Sequence, residues 1–582
     1  MSENVQYDLT RIGYGRRGCF LYLMLTEENE EQTLWVCALL SQMDTAGAGQ
    51  TPRVGRLFPV KLQRDGKPLA YKATATPLCV TLDYEGGSAR LCLQQGDILR
   101  MEAENAEITL SPDLAPHEIA KTRGDGSWEI LMNPVPKTLL CPVKGEMAVT
   151  TGFNLYTSQP ENTVFTFTPD KSGKADLALH LYKSNGWRMN PYPTFESVMD
   201  GIRAEFSAYM DTLPTVGEEF AEARTIMGYL IWSHTMFIDE TDIIYMNKGI
   251  HRCTSNWQQC YHAMAQYTNP RYAWELLLSV FRYQDDFGML PDLLTDSYQS
   301  FGATKPPFQG VALEFLKEHT DFTFATRKEL LTLYKGLSDW VCWWMSYRDT
   351  DADGIVQYDA ADESGWDDSS FFKLGGPTAA PDLATYLVLA MDNLAELADR
   401  LGRAYEAREW KARAEKMLKT TLDFFWNGET FSSRVSGTHE WVECGTLMAY
   451  VPLLLGKKRL PQEIIDKMCE KLSEEGKWLS PYGLAGERLD SDHYRESGWS
   501  AGPVLGPAQL LVCLGLHFCG KDELAKEITL RYCRALVNAE YPMVINPKTG
   551  KDVSEFRWGK RYPNRMAWTA AVFMTLASMY TK

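Results

Sequence analysis

The stretch Asp362-Glu363-Ser364-Gly365-Trp366-Asp367-Asp368-Ser369-Ser370 decides how the rest of the chain is read. With Asp359 it gathers five carboxylates around one tryptophan. Gly365, just before the indole, frees the backbone there. A solvated acidic turn rarely needs a tryptophan. A carbohydrate site does, because an indole stacks on a pyranose face while a carboxyl group protonates the glycosidic oxygen. The competing reading of the same residues is an acidic turn between two helices, with Trp366 plugging the core.

Outward from this stretch, helical periodicity dominates from residue 195 to 582. Apolar residues recur at spacings of three and four in Leu383, Leu387, Leu389, Met391, Leu394, Leu397 and Leu401. The same period predicts helices over 221–237, 272–282, 327–347, 404–425, 507–518, 522–538 and 566–580. Paired helices joined by loops fit a mainly α domain closed as a toroid, with an α-solenoid or a bundle as the alternatives from periodicity alone. No fixed sequence period favours a solenoid. The first 190 residues read differently. Short apolar runs at 19–25, 34–40, 78–82, 90–93, 164–168 and 177–181, separated by Gly, Pro and Asp turns, predict a β-sandwich. Asn190-Pro191-Tyr192-Pro193 reads as the linker between the two domains.

Bulk properties narrow the function classes. A chain of 582 residues is too long for one ordinary core. Its net charge of -17 argues against nucleic acid and anionic membrane surfaces, which both need a basic face. No apolar run is long enough to span a bilayer. The N-terminal Met-Ser-Glu-Asn-Val-Gln-Tyr-Asp lacks the basic and apolar parts of a signal peptide. The 13 cysteines are odd in number and show no CxxC pair, so a reducing cytoplasm is predicted. Aromatic residues reach 12%, with 17 Trp, a richness that suits carbohydrate binding. Asp349-x-Asp351-x-Asp353-Gly354 has the opening spacing of a calcium loop, although Ala360 stands where an EF-hand places its bidentate glutamate. A structural calcium is the only cofactor this suggests, and none is required.

Further stretches stand in a fixed order around the acidic one. They are Asn256-Trp257-Gln258-Gln259-Cys260-Tyr261-His262, then Tyr283-Gln284-Asp285-Asp286-Phe287-Gly288-Met289-Leu290-Pro291, then Lys305-Pro306-Pro307-Phe308-Gln309. After the acidic stretch come Pro381-Asp382-Leu383, Glu496-Ser497-Gly498-Trp499-Ser500-Ala501-Gly502-Pro503-Val504, Asn546-Pro547-Lys548-Thr549-Gly550 and Met566-Ala567-Trp568-Thr569-Ala570-Ala571. In this order they resemble motifs of glycoside hydrolase family 63 and the inverting trehalases.

The resemblance implies an (α/α)6 toroid over 195–582 preceded by a β-domain over 1–190. It implies an inverting, exo-acting glycosidase on a small α-linked saccharide or glycoside, with Asp367 as general acid. It also implies a saccharide site that includes Trp257, Gln258, Lys305, Gln309, Glu363, Trp366, Asp368, Trp499 and Trp568. Two of the four tryptophans Trp257, Trp366, Trp499 and Trp568 are expected to touch ligand. His262 is expected to be a buried helix residue, and Cys260 has no activating partner in sequence.

Three positions depart from the pattern. Gln258 replaces an aspartate, Ala501 replaces an arginine, and Met543 stands where the base, a glutamate, is expected. Glu540 is then the nearest candidate base, with Glu496 and Glu555 behind it. A phosphorolytic relative is the alternative, with Arg557, Lys560, Arg561 and Arg565 as the phosphate-binding cluster. A catalytically silent sugar-binding protein is a third reading.

Overall fold

The computed structural model describes residues 4–28, 31–39, 55–132, 137–182, 184, 186–249, 251–554 and 563–582. Two antiparallel sheets make up the N-terminal part. The first runs in the order Leu21–Glu28, Glu31–Ala38, Arg56–Arg64, Glu107–Leu110, Gln159–Thr168 and Glu146–Asn154, with Lys67–Leu69 paired to Arg56–Arg64. The second runs Ile119–Thr122, Trp128–Leu131, Lys137–Lys144, Lys174–Tyr182, Ile98–Glu104, Gly87–Gln94, Val80–Tyr84 and Tyr71–Ala75. Alternation of side chains along each strand puts one face of each sheet inward. Leu23, Leu34, Val36 and Val60 from the first sheet share a core with Leu82, Leu91, Leu99 and Leu177 from the second. The strand predicted over 34–40 ends at Ala38, and Leu40 lies outside the described residues.

The remaining chain is helical. The main helices are α1 (Phe195–Thr212), α2 (Ala221–His234), α3 (Gln258–Ala265), α4 (Pro270–Ser279), α5 (Gln309–Lys317), α6 (Arg327–Tyr347), α7 (Pro381–Arg400), α8 (Ala404–Phe425), α9 (Gln462–Leu472), α10 (Gly506–Phe518), α11 (Asp522–Asn538) and α12 (Ala567–Tyr580). Thr326 and Glu329 form a capping box that starts α6. Pro381 occupies the first turn of α7, where its missing N–H costs nothing. The 3-10 stretch Leu447–Leu455 holds Pro452 in its interior, which an α-helix would not tolerate.

Six buried segments pack in a closed ring: α3 on α5, α5 on α7, α7 on Leu447–Leu455, that stretch on α10, α10 on α12, and α12 back on α3. Less completely buried helices lie outside them. α4 backs α3, α6 and α8 back α7, and α11 backs α10. The helix predicted over 221–237 stops at His234, and Thr235–Ile238 pairs as a strand with Thr241–Ile244. That hairpin leads into the loop before α3.

The two parts are joined through buried polar contacts. The Tyr229 hydroxyl of α2 accepts the Gly15 N–H at 2.8 Å. Lys248, fully buried, donates to the carbonyls of Arg16 (3.1 Å) and Cys19 (2.6 Å). Burial lowers its pKa to about 8, although the nearby Asp97 carboxylate acts the other way. The Arg11 carbonyl accepts the N–H groups of Asn564 (3.0 Å) and Arg565 (3.2 Å), just before α12.

Candidate active site

Loops at one end of the helical ring enclose a cavity of about 330 Å³. Its wall includes Gln258, Asp292, Lys305, Asp362 and Asp367, the indoles Trp257, Trp499 and Trp568, and the thioethers Met246, Met543 and Met566. The residues before α3 supply Trp257. Gly365 makes room for it: the glycine sits at φ +75°, and a β-carbon there would fall inside the Trp257 indole. Trp257 then packs edge-on against Trp568 at 5.2 Å between ring centres. Trp499 is placed by Asp368, whose carboxylate accepts the N–H groups of Trp499 (2.6 Å), Ser500 (2.6 Å) and Ala501 (3.2 Å) and the Ser500 hydroxyl (2.7 Å). Asp368 therefore acts on the cavity through Trp499.

Asp367 lies on the wall, one residue from this clamp. Lys305 stands among the neighbouring acids. Its ammonium is 3.2 Å from Asp292 and 3.1 Å from Asp362, and it donates to the Asp362 carbonyl at 2.6 Å. Burial alone would lower the Lys305 pKa, but the charges of Asp292, Asp362 and Asp367 outweigh it and the pKa rises. Burial also raises the pKa of Asp292, opposed by Lys305 and reinforced by Asp362 and Asp367. Gln258 lines the cavity while its Oε1 accepts the Ser255 N–H at 3.0 Å, which leaves its NH2 as the group able to meet a ligand.

Several expected site residues face elsewhere. Trp366 is buried and is not on the wall; the core-plug reading describes it. Glu363 is turned to Arg348 (2.5 Å) and to the Asp359 N–H (2.9 Å). Gln309 is buried at the start of α5, off the wall. His262 is buried and neutral, its pKa lowered to about 3 by burial. Burial pushes the Cys260 thiol far up, so it is no nucleophile.

Neither described candidate base reaches the cavity. Glu540 and Tyr541 both adopt left-handed φ, +59° and +67°, in the turn after α11. This turn sends the Glu540 side chain outward, 64% exposed, to Arg11 at 3.2 Å. It delivers Met543 to the wall instead. Glu496 is 66% exposed and 3.8 Å from Lys548. Glu555, Arg557, Lys560 and Arg561 lie outside the described residues. Arg565, the remaining member of the predicted phosphate-binding cluster, is fully buried. It pairs with Asp552 at 2.8 Å and donates to the Glu540 carbonyl at 2.5 Å.

The predicted calcium loop is arranged differently from an oxygen cage. The Asp349 carboxylate accepts the N–H groups of Asp353 (3.1 Å) and Gly354 (3.0 Å) within its own loop. Asp351, Asp353 and His439 bring three ligand atoms within 4.8 Å of one another, and His439 Nε2 is 2.7 Å from Asp353. An imidazole in the set departs from the all-oxygen coordination that calcium takes.

Sequence reasoning did not single out Asp292, which follows Leu290-Pro291 directly, nor Met246, and it quoted Met566 in a motif without giving it a place in the site. The signal for Asp292 was its place at the end of a loop already flagged. The methionines carried none, because apolar residues at such spacings read as core.

No curated protein matches this chain. Among solved structures, the family 63 mannosylglycerate hydrolase from Thermus thermophilus in complex with glucose is similar at 18% identity and a TM-score of 0.52, over 60% of this chain and 99% of that one. An uncharacterized conserved protein from the same organism gives the same figures. A sialidase is similar at 11% identity and a TM-score of 0.51, over 97% of this chain and 66% of that one. At these identities the likeness is one of fold. The family model of the mannosylglycerate hydrolase MGH1-like glycoside hydrolase domain matches residues 252–563, which is more than half of the chain and contains most of the cavity wall. The chain therefore belongs to the mannosylglycerate hydrolase MGH1-like family, and it is a family 63-like glycoside hydrolase.

Proposed function

We propose that the protein is an inverting, exo-acting glycosidase of a small α-linked saccharide or glycoside, built as an (α/α)6 toroid behind a β-sandwich, with Asp367 as general acid. The observation that carries this reading is that Asp367 shares one cavity with three indoles. At about 330 Å³ the cavity is near the small end of the ~300–1,000 Å³ range of ligand pockets, which suits one terminal sugar residue. Asp367 protonates the departing oxygen while water attacks the anomeric carbon from the opposite face. Gln258 donates to a hydroxyl of the bound sugar through its amide.

With Asp367 protonated as the acid and His251 as neutral imidazole, the described wall sets the carboxylates of Asp292 and Asp362 against one ammonium, Lys305, which favours an uncharged glycoside. Mannosylglycerate, named for the solved neighbours, carries a carboxylate of its own, and Lys305 is already paired. Protein carboxyl groups suffice for this chemistry, so no metal is required. All 13 cysteines are free thiols, which supports a cytoplasmic setting. Among the described residues no helix is long and apolar enough to cross a membrane.

Met543 on the wall keeps phosphorolysis as a second reading. The commitment of Arg565 to Asp552 weighs against it. The test is proton NMR of fresh product from neutral α-glycosides, with and without phosphate. Inversion of the anomer and indifference to phosphate are expected. A retained anomer, or a sugar phosphate, would refute the proposal.

A further inference from the structure

Inverting hydrolysis needs a carboxylate to take a proton from the attacking water, and Met543 brings a thioether to the wall where that group is expected. Glu540 and Glu496 are solvent-exposed and ion-paired away from the cavity. Among the described wall residues the carboxylates are Asp292, Asp362 and Asp367. Asp362 is half-exposed, and it belongs to the same short loop as Asp367. Asp292 comes from a different part of the chain, and its side chain is only 11% exposed.

The backbone around Asp292 is fixed. Its N–H donates to the Ser300 carbonyl at 2.9 Å, the Pro291 carbonyl accepts Asn256 Nδ2 at 3.0 Å, and the Leu290 carbonyl accepts the Thr304 hydroxyl at 2.7 Å. Its Oδ1 pairs with the Lys305 ammonium, 3.2 Å away. A buried carboxylate beside an ammonium, on a braced loop and in the same cavity as the acid, has the placement a general base needs.

We infer that Asp292 is the general base of this hydrolase, in the role that Met543 cannot fill. The inference rests on the inverting reading above. In the step, the water oxygen forms a bond to the anomeric carbon as the glycosidic C–O bond breaks. Asp292 takes a proton from that water, and Asp367 gives its proton to the leaving oxygen. The product carries the new hydroxyl on the opposite face. Proton exchange with solvent returns Asp292 to carboxylate and Asp367 to acid. Lys305 holds Asp292 and Asp362 in place.

The experiment is Asp292→Asn in the full chain, assayed on a glycosyl fluoride with and without azide. Hydrolysis should fall by at least ~10², the usual scale of a general-base contribution. Azide, which needs no deprotonation, should give a glycosyl azide of inverted configuration. A rate within tenfold of wild type overturns the proposal. Loss of hydrolysis with normal melting and no azide product also overturns it, and assigns Asp292 to holding Lys305. Azide product from Glu555→Ala but not from Asp292→Asn overturns it as well.

If Asp292→Asn does not fold, Asp292→Glu keeps the charge beside Lys305 and moves the oxygens by one methylene. A base should then lose at least ~10-fold in kcat at unchanged KM, whereas kcat within twofold of wild type overturns the assignment. The anomer released by the wild type is read in the same series. A retained anomer there removes the inverting reading itself, whatever Asp292 does.

Discussion

The Trp257 indole occupies the space that a side chain at position 365 would need. Gly365 is both left-handed, at φ +75°, and in contact with that indole. Gly365→Ala meets two costs, a strained backbone and an overpacked ring, together on the order of 1–4 kcal/mol. We expect a clear fall in melting temperature, a shift in tryptophan fluorescence and weaker sugar binding. Unchanged melting and binding would show that Trp257 can yield without consequence.

Asp367→Asn keeps size and removes the titrating proton. Turnover of unactivated glycosides should drop by at least ~10². Glycosides with strongly acidic leaving groups need less protonation and should lose less. A wild-type rate on an unactivated substrate would remove Asp367 from the acid role.

Asp368 acts by holding Trp499. Asp368→Ala strips the acceptor from three backbone N–H groups and one hydroxyl. The expected outcome is a fall of ~10- to 100-fold in kcat/KM through misplacement of the indole. The pH–rate profile should keep its shape, because no titrating catalytic group is lost. Asp368→Asn retains a carbonyl acceptor and should recover part of the loss. A changed pH profile would mean that Asp368 takes part in proton transfer.

His517 gives the fold a measurable pH response. Its ring is held between Glu318 (2.9 Å) and Asp522 (2.6 Å), and these hydrogen bonds, Glu318 foremost, raise its pKa from 6.5 to about 9 against the cost of burial. The folded state therefore binds this proton more tightly than the unfolded chain does. The stabilisation is complete below pH ~6.5 and is lost as the pH rises through about 9. Melting curves at pH 6.5 and 9.5 should converge for wild type and His517→Gln at the higher pH and separate at the lower. An equal gap at both would refute the linkage.

The outer helices were the most legible part of the sequence. α6, α8 and α11 run over the residues that periodicity predicts, because each buries one stripe and leaves the other wet. In the inner ring α7, α10 and α12 also follow the predicted ranges, whereas α3, α5 and Leu447–Leu455 had no predicted counterpart. Leu447–Leu455 is apolar on all sides and has no period to detect. In the site, the acidic motif led to the correct loop, but not to the direction of each side chain. Trp366 and Glu363 stand beside Asp367 in sequence and face away from the cavity, since a tight turn alternates what it presents. Glu540 was out of reach for a different reason: two consecutive left-handed residues reverse the expected register, and no composition rule announces them at Glu-Tyr.

Lys248 and the Arg11 carbonyl make the segment ahead of the first strand, residues 11–20, part of the helical part's foundation. The helical part expressed by itself would lose the two carbonyl acceptors of Lys248 and the Arg11 carbonyl that holds the chain just ahead of Met566. The family match begins at residue 252 and so leaves out both Lys248 and the segment that packs on it. Grafting this activity onto another scaffold would have to carry residues 11–20 along with the helices.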